Sequence, residues 1–280
     1  MMSYREYVPS QPLRQYVDCY WHYVSGQAAP AGQLPIQRCL PLGSIEIILQ
    51  VDGMMADIFD NTRQQWEKSF RIYFAGMYTD TAFWRAQPGT LLFGIRLKPE
   101  SLLPLFGIPP ALLLNSVVDA EAVLGISAGH LYDEMAGVFD MPRLVSVAER
   151  HLQQRLGKLA PNRNYVAEAC RLIRDSGAHL TVEQLSDAIY ISKRQLERHF
   201  KLEFGASPKT YQRIIRFRNA YRYARSWHSD KIHWADVSYE SGYADQAHFI
   251  RDFKAFTGHA PSALLSDRQS FFQTLESVVD

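Results

Sequence analysis

Between residues 44 and 52 the chain alternates. Ile45, Ile47, Leu49 and Val51 fall on one side, Glu46, Ile48 and Gln50 on the other, and Asp52-Gly53 stops the run. A period of two over that length predicts a β-strand. Residues 91–98 repeat the pattern, with Leu91, Phe93, Ile95 and Leu97 together and Arg96 opposite. Residues 70–77 are a third strand candidate, and residues 13–24 open as a helical turn and pass into another strand. Gly and Pro punctuate the intervals. The pattern predicts a small, aromatic-rich antiparallel sheet or barrel, an architecture able to enclose one small molecule. Pro99 closes the β pattern. Residues 100–114 and 127–139 then read as short apolar helices. Asp140 can cap a longer one, with Pro142 in its first turn and Leu144, Ala148, Leu152, Leu156 and Leu159 along one face. That stripe is either a seam against the chain's own domain or a dimer interface. Residues 160–163 are the expected linker, and residues 164–177 open the second domain.

From Thr181 to Leu264 the period changes to that of helices, and one pattern is written twice. Reading 53 residues on, Tyr190 meets Tyr243, Arg198 meets Arg251, Phe200 meets Phe253, Lys201 meets Lys254, Gly205 meets Gly258 and Pro208 meets Pro261. In each copy a short helical run (183–189; 234–240) reaches a tight turn, followed by a helix-capping residue, Ser192 or Asp245. Helices over 193–204 and 246–257 follow. Two helices joined by a short turn, the second polar on its open face, form a helix-turn-helix. Between the copies Ser207 suits an N-cap and Pro208 the first helical position, while Tyr211, Ile214, Ile215, Phe217, Ala220, Tyr221 and Ala224 recur at helical spacing. A helix over 208–225 spans roughly 27 Å at ~1.5 Å per residue and serves as a rigid spacer. Recognition helices about one DNA turn apart, roughly 34 Å, enter successive major grooves on one face of a duplex.

The run Ser192-x-Arg194-Gln-Leu196-x-Arg198-x-Phe200, then Gly205-Ala-Ser-Pro208-x-x-Tyr211, Arg218-x-x-Ala-Tyr221, Gly242-Tyr243-Ala-Asp245-Gln246-Ala-His248-Phe249-x-Arg251-Asp-Phe253 and Thr257-Gly258-His-Ala-Pro261 resembles the DNA-binding domain of the AraC/XylS family of transcription regulators. The chain departs from the family pattern at Tyr190, where the first turn usually carries Gly, and at Ser186, where a small Ala often sits. The resemblance implies an N-terminal effector or dimerisation domain. The Tyr20-Trp21, 40–46, 74–76 and 93–99 stretches are similar to an N-terminal domain of such regulators that lacks a known effector. By family position Arg194 and Glu197 approach bases, and Arg198 serves base or phosphate. Ser192 and Asp245 cap, Lys193 stands beside them, and Gln246, His248 and Arg251 face the groove. Arg reads guanine through O6 and N7, and Glu accepts from the cytosine amino group. Arg198 and Arg251 have a structural alternative as partners in ion pairs.

Charge sharpens this division. The net charge of +1 hides 16 Lys/Arg against 11 Asp/Glu over residues 161–266, and 14 against 18 elsewhere. Between Lys193 and Arg225 there are ten basic residues to two acidic ones, which suits a polyanion. No apolar run approaches the ~20 residues that cross a bilayer, and residues 1–5 lack a signal peptide's apolar core, so a cytoplasmic protein is expected. Cys19, Cys39 and Cys170 are scattered, with no Cys-x-x-Cys, and read as buried reduced thiols.

The nine histidines show no His-x-His or His-Glu-x-x-His spacing, and there is no Gly-x-Gly-x-x-Gly, Walker loop or nucleophile elbow. No enzyme, metal site or cofactor is therefore expected. In the sheet region Glu46 and Arg96 each oppose an apolar face. Either they face water, or they point into a pocket lined by Trp21, Trp66, Tyr73, Phe83 or Trp84, where a buried charge must find a partner or a ligand. Arg38 is a further candidate. The expected fold is α+β: a β-rich sensing domain over 1–98, a helical connector over 99–160, an all-α double helix-turn-helix domain over 161–266 and a C-terminal extension over 267–280. The expected partners are double-stranded DNA, an unidentified small-molecule effector and RNA polymerase, with no membrane and with the chain as monomer or homodimer. The rival readings are a ligand-independent architectural DNA-binding protein and a β-barrel enzyme fused to a DNA reader.

Overall fold

The computed structural model describes residues 3–26, 34–156, 164–226 and 232–263. The expected linker and C-terminal extension lie outside these residues.

The N-terminal half carries two antiparallel sheets. The larger has the order β1-β2-β9-β4-β7-β10, formed by β1 (Ser3–Tyr7), β2 (Val17–Val24), β4 (Ile45–Asp52), β7 (Ile72–Ala75), β9 (Leu91–Leu97) and β10 (Val117–Asp119). The smaller has the order β3-β8-β5-β6, formed by β3 (Gln37–Cys39), β5 (Asp57–Asp60), β6 (Gln65–Lys68) and β8 (Ala82–Arg85). The alternation in β4 and β9 decides how the large sheet is covered. Ile45 lies opposite Leu97, Ile47 opposite Ile95 and Leu49 opposite Phe93, so these side chains share one face. That face packs under the helices α1 (Leu102–Phe106), α2 (Ala120–Leu124), α3 (Ile126–Met135) and α4 (Met141–Leu156). The same register places Glu46 opposite Arg96 and Trp21 opposite Gly94 on the other face, which turns toward the small sheet.

The end of the sheet differs from the expectation. The β pattern does not end at Pro99, because β10 returns to pair with β7 through Val117–Ala75, Val118–Phe74 and Asp119–Tyr73. Three residues are too few for alternation to show, yet pairing supplies the hydrogen bonds. Of the two alternatives for the α4 stripe, its described residues follow the seam within their own domain; Leu159 lies outside the described residues. Leu144, Val147, Ala148 and Leu152 are buried against α1, α3 and the turn at Gln11–Leu13.

In the C-terminal half, Asn164 caps α5 (Tyr165–Asp175) by accepting from the Ala167 amide at 2.8 Å. Next come α6 (Val182–Ala188) and α7 (Lys193–His199), the latter continued by a π-helical turn over Phe200–Phe204, then α8 (Pro208–Ser226), α9 (Trp234–Glu240) and α10 (Gln246–Thr257). Thr181 and Ser192 form capping boxes with Gln184 and Gln195, which satisfy backbone donors at each helix start. The uniform spacing of 53 breaks at the turns. Tyr190 (φ 60°) and Gly242 (φ 82°) are the left-handed residues that follow the two first helices, a spacing of 52. Ile191 and Tyr243 then donate back to Ser186 and Ser238. The counterpart of Tyr190 is thus Gly242, and the second turn holds one residue more before its cap.

The spacer helix α8 is not merely a rod. Tyr211, Ile214, Ile215, Phe217, Ala220, Tyr221 and Ala224 are all buried, on more of its circumference than a single stripe. One side receives the two helix-turn-helix cores, in which Phe217 meets Phe253 and Phe256, and Tyr211 meets Phe204. Another side meets the N-terminal half. Gly43 (φ +72°) approaches so closely that a Cβ there would lie 3.1–3.2 Å from Ile214, Ile215 and Tyr211. Among the described residues two ion pairs join the halves. Arg174 reaches Glu100 and the Tyr211 hydroxyl, and Arg218 reaches Asp18 at 3.2 Å.

Candidate functional site

Two sites emerge, one on each half. On the C-terminal half, capping orients the second helix of each pair, and burial of Leu196, Phe200, Phe249 and Phe253 determines which face it shows. In α7, Lys193, Arg194, Glu197 and Arg198 are exposed alongside the cap residue Ser192. Among the described residues Arg194, Glu197 and Arg198 have no hydrogen-bond or ion-pair partner, while Lys193 pairs with Glu183. In α10, Asp245 caps by accepting from the His248 amide at 2.6 Å, and Gln246 and Arg251 are exposed. Arg251 likewise has no ion-pair partner among the described residues, so neither Arg198 nor Arg251 follows the structural alternative. His248 differs. It is half-buried, its ring packs edge-on against Tyr243, and its Nε2 stands 3.6 Å from Asp252, itself only 5% exposed. Arg213 of α8 donates twice to the same carboxylate, at 2.9 and 2.8 Å.

The basic run between Lys193 and Arg225 is therefore not all available to a polyanion. Arg213 is tied to Asp252, and Arg218 to Asp18. Arg216 lies over the Tyr243 ring and donates to the Ala178 carbonyl. Sequence counting could not separate these inward arginines from outward ones.

The second site is a cavity of about 110 Å³ between the two sheets of the N-terminal half. Trp21, Arg38, Glu46, Trp84 and Arg96, the five candidates read from the sequence, all line it, and so do Tyr73 and Phe83. Trp66 does not; it packs against Phe59 and under Arg85 instead. Glu46 and Arg96 are mostly buried, with side chains 15% and 14% exposed, and bond to each other at 2.6 Å. Arg96 also donates to Glu6, Tyr4 and Cys19. Burial alone would push Glu6 up; Arg96 and the Tyr4 hydroxyl outweigh it and hold the carboxyl below its usual range. Burial likewise works against the Arg96 charge, yet Glu46 and its other neighbours keep it protonated. Tyr4 and Glu6 were missed in the sequence. The signal lay in their own alternation on β1, which places both on the Arg96 side.

The far wall of the cavity matters as much as its charges. Arg38, Cys39, Leu40, Leu42 and Ser44 line it. Gly43, in the same run, rests on α8.

Residues 185–267 match a family model described as a helix-turn-helix domain, the match falling on the capped repeat. Residues 185–267 carry the DNA-binding domain of an AraC/XylS-type transcription regulator. The protein thus binds DNA through its C-terminal half. A second model, a domain of unknown function (DUF6597), matches residues 5–119, which hold nine of the ten strands described here and most of β1. No curated protein sequence matches this AraC-type chain. Among solved structures it is similar to an apo form of ToxT from Vibrio cholerae, with 10% identity, 88% of this chain and 97% of that one covered, and a TM-score of 0.50. It is also similar to unsaturated fatty acid-bound ToxT from that organism, with 8% identity, 89% and 97% covered and a TM-score of 0.49. A third similarity is to a probable AraC family transcriptional regulator from Rhodopseudomonas palustris, with 23% identity, 37% and 96% covered and a TM-score of 0.34. At these identities the first likeness concerns the fold alone. Among the described residues of the AraC-type chain no helix is long and apolar enough to cross a membrane.

Proposed function

We propose that this regulator is controlled by a small molecule held in the cavity between its two N-terminal sheets. The observation that carries the reading is the run over residues 38–44. One side of it forms the cavity wall, while Gly43 sits against Tyr211, Ile214 and Ile215 of the helix that joins both DNA-reading motifs. Packed interiors transmit small displacements because they have no slack, so a molecule that reshapes this wall acts on the spacing and tilt of both reading helices.

On the DNA, Arg194 and Glu197 read bases, Arg198 reads base or phosphate, and Gln246, His248 and Arg251 work in the second groove. Lys193 and the capped helix starts at Ser192 and Asp245 approach phosphates. Two reading helices on one chain let a monomer address two grooves, and a homodimer doubles the site. The protein works in the cytoplasm, within reach of RNA polymerase, and carries no catalytic function. The architectural alternative has less support, because such a protein has no need of a cavity wall in contact with its DNA-reading half.

Ala75 lies opposite Glu46 in the sheet and lines the cavity. Filling the space by Ala75→Leu is expected to shift operator affinity at least about threefold, on the order of 0.65 kcal/mol. Unchanged affinity in a folded variant would refute small-molecule control. DNA binding itself is checked by salt: log K should fall against log salt by ~0.9 per phosphate contact. Three arginines of the basic run face inward, so the slope should indicate fewer contacts than the run's ten basic residues.

A further inference from the structure

Arg96 has little left to offer a ligand. Its Nε donates to Glu46, its terminal nitrogens to Glu6 at 2.7 Å and the Tyr4 hydroxyl at 3.0 Å, and Cys19 Sγ lies 3.4 Å away. Arg38, the other cationic side chain of the lining, is also engaged. Glu6 feels Arg222 of α8 as well as Arg96, which leaves Glu46 as the cavity's own anionic group. Only Oε1 of Glu46 takes the Arg96 bond. Among the described residues Oε2 accepts no hydrogen bond, although the carboxylate is mostly withdrawn from water. Burial pushes the Cys39 thiol and the Tyr23 hydroxyl up to about 12, so neither adds charge.

An entering anion therefore meets engaged donors and a carboxylate, whereas an entering cation meets an acceptor with unused capacity. The remaining wall favours the cation too. Trp21, Tyr23, Tyr73, Tyr78 and Trp84 surround the space with rings, and ring faces attract a desolvated cation. Ile48, Leu92 and Val117 offer apolar contact to the rest of the molecule.

We infer that the cavity takes an organic ammonium: a compact molecule whose protonated amine sits against Glu46 and whose apolar body lies among the aromatic rings. The inference rests on the cavity being the effector site.

The test uses three probes that share one body, 2-phenylethylammonium, 2-phenylethanol and 3-phenylpropanoate, titrated calorimetrically into the full chain. The ammonium should bind at least about tenfold more tightly than the carboxylate, as expected for a desolvated cation–π site with a carboxylate partner. Glu46→Gln, which keeps an acceptor for Arg96 Nε, should abolish the preference for the ammonium over the alcohol while leaving the alcohol's affinity within about twofold. Equal or tighter binding of the carboxylate or the alcohol overturns the ammonium assignment and leaves the effector site standing. So does an ammonium preference that survives Glu46→Gln. If none of the three binds, the assignment falls, and the Ala75→Leu measurement separates the cases. A shifted operator affinity preserves control through the cavity, and an unshifted one removes that reading as well.

Discussion

The two helix-turn-helix motifs of this chain agree inside and disagree outside. Leu196 and Phe200 in the first occupy the places of Phe249 and Phe253 in the second, and all four are buried. On the open face Arg194 and Glu197 of the first motif have no partner among the described residues, while the second presents Ala247 and Ile250 at the same register, with His248 drawn toward Asp252. Packing demands the same apolar volumes wherever two helices meet at this angle. The open face is constrained only by what it contacts, so it has diverged. The second motif is further tied to the spacer helix through Arg213 and Asp252. The first motif is therefore expected to supply most of the sequence discrimination and the second to hold orientation.

The strongest way to break the comparison is at the shared core. Phe200→Ala and Phe253→Ala should each cost about 3–5 kcal/mol of stability, since both rings are fully buried. Chemical denaturation of the two variants measures this. If one is lost with little effect, the motifs are not equivalent inside.

Next in size is the asymmetric tie. Asp252→Asn weakens the two hydrogen bonds from Arg213 in a site with 5% exposure and should cost about 1.5–3 kcal/mol. The same register in the first motif holds His199, whose ion-pair partner among the described residues is Glu203 on its own helix, at 2.9 Å and partly in water, with the Tyr165 ring beside it. Its replacement by Ala should cost about 0.5 kcal/mol or less. Equal costs would show that the tie is no feature of the second motif.

These contrasts mark what the sequence could convey. Strands β4 and β9 were legible because each completes several periods of alternation, and Glu46 and Arg96 showed as candidates because a charge interrupts one apolar face. The strands of the small sheet have three or four residues each, too few to display a period, and β10 likewise has three. Helix ends at Ser192, Pro208 and Asp245 were readable because capping is local chemistry. The contacts that join the halves were not. Asp18 and Arg218 lie 200 positions apart, and nothing near either residue announces the other. Gly43 looked like loop punctuation until α8 was found against it.

On the DNA the expected effects are smaller but more diagnostic. Arg194→Ala should cost about 1–3 kcal/mol of operator affinity and relax selectivity at one or two base pairs. Gln246→Ala should cost less and change the preferred sequence little, because the second motif presents fewer bidentate groups. Selection from a randomised operator pool ranks the two variants. Greater loss of selectivity with Gln246→Ala reverses the roles assigned to the motifs.

The smallest effect concerns the turns. Tyr190 adopts φ 60° with its side chain 85% exposed, whereas the second motif meets the same requirement with Gly242 at φ 82°. A side chain with a Cβ pays roughly 1–2 kcal/mol in the left-handed region, and glycine gives back about 0.5–1 kcal/mol through its greater freedom when unfolded. Tyr190→Gly should therefore stabilise the protein by about 0.5–1 kcal/mol, since an exposed ring contributes little burial. Gly242→Ala should destabilise by a similar or larger amount, because a Cβ there meets the Gly177 carbonyl oxygen at 3.1 Å as well as the φ penalty. Thermal melts of both variants decide the sign. A destabilised Tyr190→Gly protein would mean that the tyrosine makes a compensating contact, and its effect on operator affinity would then show whether that contact belongs to the turn or to the DNA.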